Sequence, residues 1–210
     1  MEDSALKQYF DTARPHLLAH RGLNQHQVGI DENSIAAFEQ ALKFGATHIE
    51  SDVHATKDGV AVLFHDDDLE RVAGLPLKIR DLTFAELSEI QLTNGSTVPS
   101  LKEVLQHFPS LRLNLDVKAE AGCAATAKVL NEFEAFDRVL VSSFSRARKI
   151  QTLRLLDAKV ATSAASTEVL GLWVTHKIFG FGFGLIANNF DAIQIPRSFG
   201  LIHLDTESFI

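Results

Sequence analysis

The sequence predicts an α/β chain of the (β/α)-barrel type, and three observations carry that prediction. Short apolar runs alternate with helix-patterned stretches, the rhythm of parallel strands joined by helical crossovers. The run from Leu111 to Lys118 places Leu111, Leu113, Leu115 and Val117 on one face and Arg112, Asn114, Asp116 and Lys118 on the other. An apolar outer face under helices and a polar inner face suit a barrel whose interior is becoming an active site. Finally, His20-Arg21, Glu50, Asp52, His65, Asp116 and Lys118 each lie at or just past the end of an apolar run. Together they supply three carboxylates, two imidazoles and two permanent cations.

A chain of 210 residues, 46% of them hydrophobic, is long and apolar enough for one large α/β domain or two small ones, and its composition argues against disorder. The formal charge of −7 argues against a nucleic-acid partner, because phosphate backbones attract basic surfaces. Cys123 is the single cysteine; it forms no internal disulfide and reads as a small buried residue. Met1-Glu2-Asp3-Ser4 lacks the basic and apolar regions of a secretory signal, which points to a cytoplasmic protein.

Leu17-Leu18-Ala19 is the first strand, running into His20. Asn33 or Ser34 caps a helix through Phe44, with Ile35, Phe38, Ala41 and Leu42 on one face and Gly45 as its stop. His48 to Val53 is the second strand, and Glu50 and Asp52, two residues apart, project from one face. Thr56-Lys57-Asp58-Gly59 is too short for a parallel crossover, so Val60 to Phe64 folds back antiparallel as a flap that delivers His65 beside Glu50 and Asp52. Residues 54–98 then form a small insertion that caps the site, with a short helix near Thr83 to Ile90, inside a single domain spanning 1–210. Pro99 and Ser100 open the next helix. Val139 to Ser143 and Lys159 to Ser163 are further strands with an Arg-rich helix between them, and Phe190 to Pro196 is the last. Six barrel strands are therefore expected, near residues 17, 48, 112, 139, 159 and 192, against eight in a closed barrel. The last two strands find no candidate.

From Val169 to Ile186 the chain is mostly apolar. Three readings stand for it: a buried or subunit-facing helix plus loop, consistent with a homo-oligomer; an interfacial element in weak lipid contact; or a membrane span. His176, Lys177 and three glycines weaken the last.

Glu50, Asp52 and Asp116 are hard oxygen donors of the kind that hold Mg²⁺ or Ca²⁺, and neighbouring strands bring them to one barrel end. Arg21 and Lys118 are fixed cations suited to the charge that builds on a phosphate ester's nonbridging oxygens. His20 and His65 titrate near neutrality and form an acid–base pair. The same charges also read as strand-end salt bridges. No serine-elbow, Walker or dinucleotide motif is present.

At these residues the chain resembles the glycerophosphodiester phosphodiesterase family. The matching text is Leu18-Ala19-His20-Arg21-Gly22, Glu32-Asn33-Ser34 leading into Ala37-Phe38, Gly45 to Val53, Thr56 to Gly59, His65-Asp66, Val98 to Leu101, and Asp116-Val117-Lys118. The similarity covers essentially the whole chain. It implies a TIM-type (β/α) barrel with a small insertion after the second strand and lacking the final two strands. It implies a divalent metal, Mg²⁺ or Ca²⁺, on Glu50, Asp52 and Asp116, His20 and His65 as the acid–base pair, and Arg21 and Lys118 on the phosphate. The implied reaction is hydrolysis of glycerophosphodiesters to sn-glycerol 3-phosphate and an alcohol. A lysophospholipid substrate and a non-catalytic phosphoester-binding member are the alternatives. Ser34 stands where the family usually has Thr, and Asp116 where it usually has Glu.

Overall fold

The computed structural model describes residues 8–12, 14–23, 29–179, 190–194, 198–199 and 202–203. Their central feature is a parallel sheet running β1 (Leu18–His20), β2 (His48–Ala55), β4 (Arg112–Val117), β5 (Val139–Ser142) and β6 (Ala161–Thr162), each strand beside the next barrel strand in the chain. Connections that pass through helices join these parallel neighbours. It is the TIM-type (β/α) barrel pattern.

Local sequence chemistry sets each helix in place. Helix α1 (Ile35–Lys43) starts at Ser34, whose hydroxyl accepts from the Ala37 amide at 3.1 Å, and it buries Ala37, Phe38 and Ala41. Helix α4 (Leu101–His107) opens with a capping box between Ser100 and Glu103 and buries Leu101, Val104 and Leu105. Helices α5 (Glu120–Glu132) and α6 (Arg146–Arg154) follow β4 and β5. The outer faces of β2, β4 and β5 meet these helices in one core that includes Phe38, Ile49, Leu113, Leu115, Leu130 and Val141. Cys123 is buried and unpaired, as expected.

The flap is present. Asp58 and Gly59 make the turn, with Gly59 at a positive φ of 77° and the Thr56 hydroxyl donating to Asp58 at 2.6 Å. Strand β3 (Ala61–Leu63) pairs antiparallel with the last three residues of β2. Beyond it the insertion carries α2 (Glu70–Ala73), a 3₁₀ turn (Ile79–Asp81) and α3 (Phe84–Ser88), around a small core of Val62, Phe64, Leu69, Ile79, Leu87, Leu92 and Val98. Asp31 tethers its far loop, accepting from the Asn94 amide and side chain and from the Ser96 amide at 3.0–3.1 Å.

The sixth barrel strand departs from expectation. Of Phe190 to Pro196, the described residues make one parallel bridge, Ser163 to Ala192, rather than a strand. A short antiparallel pair, β7 (Ser198–Phe199) with β8 (Ile202–His203), was not expected. Of the apolar segment from 169 to 186, the first part belongs to α7 (Ser166–Phe179), which buries Val169 and Leu172 and exposes Leu170 and Val174; residues 180–186 lie outside the described residues. Buried Lys149 ties α6 to α7 by donating to the Ser163 carbonyl at 2.8 Å and to Glu168. Among the described residues no helix is long and apolar enough to cross a membrane.

Candidate active site

All seven residues singled out in the sequence come to the C-terminal end of the sheet. The strand register accounts for this: His20 of β1 is the Cα partner of Glu50 in β2, and Asp52 of β2 is the partner of Asp116 in β4. Alternation then turns Glu50, Asp52, Asn114 and Asp116 inward together. Arg21 and Lys118 stand one residue past β1 and β4, and His65 two residues past β3.

Arg21 reaches the cluster through an unusual backbone. It has a φ of 56°, and Gly22 follows at 76°. A Cβ on Gly22 would lie 2.8 Å from the Ala37 carbonyl carbon and from Phe38 Cδ1, so only glycine lets the chain pass α1 this closely. The Arg21 amide donates to the Glu50 carbonyl at 2.9 Å and lies 3.3 Å from Glu50 Oε2. Its guanidinium pairs with Glu32 Oε1 at 3.1 Å and with Asp52 Oδ2 at 3.4 Å.

Lys118 sits between two carboxylates, 2.9 Å from Asp52 Oδ1 and 2.9 Å from Asp116 Oδ2. Burial lowers its pKa, but the hydrogen bonds it donates to Asp116 and Asp52 outweigh that and hold it above the ordinary lysine value. Glu50 is the counterpart. Burial, then repulsion from Asp52 and Asp116, pushes its carboxyl up to about 8. His20 Nε2 lies 3.7 Å from Glu50 Oε2; burial and the adjacent Arg21 depress the imidazole pKa. His65 was expected beside Glu50 and Asp52; its imidazole Nδ1 is hydrogen-bonded to Asp66 at 2.7 Å, and its backbone carbonyl lies 3.2 Å from Nε2 of His54 in β2.

Among the described residues, no three or more His, Cys, Asp or Glu side chains are spaced to enclose a metal ion as they stand. Lys118 occupies the gap between Asp52 and Asp116. The donor chemistry nevertheless suits a hard divalent cation. Three carboxylates are confined together, one with a strongly raised pKa, and Asp116 Oδ1 is buried without a hydrogen-bond partner in the described structure. Glu50, Asp52 and Asp116 are the residues that would hold it.

Three further residues belong to the site and were not singled out as such. Buried Asn33 accepts from the Ser51 hydroxyl at 2.7 Å and donates to Asp52 Oδ2 at 3.3 Å. Glu32 and Arg71 extend the ion pairs outward from Arg21. Glu32-Asn33 was visible as a string in the resemblance, whereas nothing local marked Arg71. At the rim, Phe144 is 69% exposed, with its ring centroid 5.4 Å from the Lys118 ammonium.

The model of the Glycerophosphoryl diester phosphodiesterase family matches residues 20–176, a stretch that contains every one of these side chains. The chain belongs to the glycerophosphodiester phosphodiesterase family. It is 36% identical over 186 residues to the Mycobacterium tuberculosis protein named "Probable glycerophosphodiester phosphodiesterase 2", covering 87% of this chain and 69% of that protein. It is 33% identical to a Homo sapiens lysophospholipase D over 114 residues, covering 48% of this chain and 35% of that one. Among solved structures, an Oleispira antarctica phosphodiesterase in complex with the product sn-glycerol-3-phosphate matches with a TM-score of 0.61 and 30% identity, covering 71% of this chain and 65% of that chain. The chain thus spans from about a third to about two thirds of the length of these family members.

Proposed function

We propose that this glycerophosphodiester phosphodiesterase family member hydrolyses glycerophosphodiesters to sn-glycerol 3-phosphate and an alcohol. The observation that carries the reading is the convergence of two cations, two imidazoles and three carboxylates at one end of the sheet. Similarity to a phosphodiesterase solved with sn-glycerol-3-phosphate supports it. In the proposed mechanism Arg21 and Lys118 bind the phosphate's nonbridging oxygens and offset the charge they gain in the transition state. His20, held neutral by its lowered pKa, takes the proton from the nucleophile, either water or the substrate's neighbouring glycerol hydroxyl. His65 gives a proton to the leaving alkoxide as the P–O bond breaks; where the glycerol hydroxyl attacks, water then opens the cyclic phosphodiester, with one histidine taking its proton and the other returning one to the ring oxygen. Glu50, Asp52 and Asp116 would hold a Mg²⁺ or Ca²⁺ ion, which when bound would supply further positive charge to the phosphate. A cytoplasmic setting is part of the same proposal.

A lysophospholipid substrate is the second reading, supported by exposed Phe144 at the rim and by the similarity to a lysophospholipase D. One experiment addresses both. Purified protein is assayed for sn-glycerol 3-phosphate release from glycerophosphocholine, and for choline release from lysophosphatidylcholine, with Mg²⁺, Ca²⁺ or EDTA. Release from the soluble diester, lost in EDTA and in His20→Ala, is expected. Activity that survives both changes would overturn the mechanism.

A further inference from the structure

A chain of ion pairs runs from the insertion into the site, and Arg71 of α2 is its middle link. Arg71 Nε donates to Asp66 Oδ2 at 2.6 Å, and its Nη2 donates to Glu32 Oε1. The same Glu32 oxygen receives Arg21 Nη1 at 3.1 Å. On the other side, Asp66 Oδ1 is 2.7 Å from His65 Nδ1. The connection His65–Asp66–Arg71–Glu32–Arg21 therefore joins the proposed general acid to the proposed phosphate-binding cation.

We propose that Arg71 is a positioning residue, through which the insertion holds His65 and Arg21 in register with one another. The inference rests on the phosphodiesterase reading. Burial raises the pKa of Asp66, but the hydrogen bonds from His65 and Arg71 outweigh it and keep the carboxyl below its ordinary value. An ionised carboxylate only accepts, so Nδ1 of His65 keeps its proton toward Asp66, and the proton given to the leaving alkoxide is the one on Nε2. Asp66 is a quarter exposed, and with Arg71 gone its carboxylate is free to turn to solvent and release the imidazole. Glu32 is linked in the same way: Arg71 holds the carboxylate that holds Arg21. Arg71 is itself 44% exposed, and ion pairs this open contribute little to folding, so the arrangement is not accounted for as a stabilising bridge.

The test compares the parent chain with Arg71→Ala and Arg71→Lys. Three quantities are read: steady-state kinetics on glycerophosphocholine, the ¹⁵N shifts of the His65 imidazole, and the melting temperature. In Arg71→Ala, kcat falls by roughly 10- to 100-fold with KM within about threefold, as for other supports of reacting groups. The His65 nitrogens move from the Nδ1–H tautomer toward a mixture, and melting stays within a few degrees of the parent. Arg71→Lys offers one ammonium for two carboxylates and recovers only part of kcat. An unchanged kcat with unchanged His65 shifts would overturn the proposal, as would a rise in KM alone, which marks a direct substrate contact. Should Arg71→Ala fail to fold, the lysine variant gives the same readouts. If the parent releases no product, the phosphodiesterase reading fails, and the imidazole spectrum still decides whether Arg71 orients His65.

Discussion

Replacing Glu50 with Gln tests the electrostatics of the site without relying on turnover. The Glu50 side chain is 11% exposed, and burial together with Asp52 and Asp116 raises its pKa from 4.5 to about 8. The folded chain therefore keeps a proton on Glu50 that the unfolded chain has already released. Stability from this group is fully present below about pH 4.5 and is lost as pH rises toward 8. At about 1.4 kcal/mol per pH unit, the whole interval corresponds to roughly 5 kcal/mol. The histidines oppose this trend. Burial lowers the pKa of His20, His48 and His54 from 6.5, so their contribution is present above that value and is lost as pH falls through it. Parent and variant share those histidines, and the difference between them isolates Glu50. Urea unfolding in EDTA, followed by the fluorescence of the single tryptophan, Trp173, from about pH 5 to about pH 8 supplies the measurement. The stability advantage of Glu50→Gln should grow steadily with pH and be largest at the alkaline end. Parallel curves for the two proteins would refute the reasoning.

Two further substitutions probe the same region. Lys118→Met removes the ammonium 2.9 Å from both Asp52 and Asp116, which should cost about 3 kcal/mol of stability at neutral pH and lower kcat/KM by roughly a hundredfold or more, measured by denaturation and by the release assay. Gly22→Ala forces a Cβ to within 2.8 Å of Ala37 and Phe38 at a φ of 76°; left-handed strain and overpacking together predict a loss of about 3 kcal/mol, and a loss below about 1 kcal/mol would show that the backbone there yields.

Much of the framework was legible because its causes are local. The alternation along β4, the Ser34 cap, the capping box at Ser100 and the Asp58-Gly59 turn are set by residues within a few positions of one another. The flap followed from chain length alone, since four residues do not make a parallel crossover. From these periodicities and strand ends the sequence by itself determined the β/α order and the identity of the seven clustered side chains. What only the tertiary structure decided depends on residues far apart in the chain. The Arg71–Glu32 bridge spans 39 positions and the Asn33–Asp52 contact 19. The sixth strand was read from an apolar run, but a strand forms only where a neighbour's backbone lies in register, and here that pairing is a single bridge to Ser163. The sequence named three carboxylates as ligands; the fold put Lys118 between two of them and raised the pKa of the third, because charges brought together out of water must be balanced by whatever lies within reach.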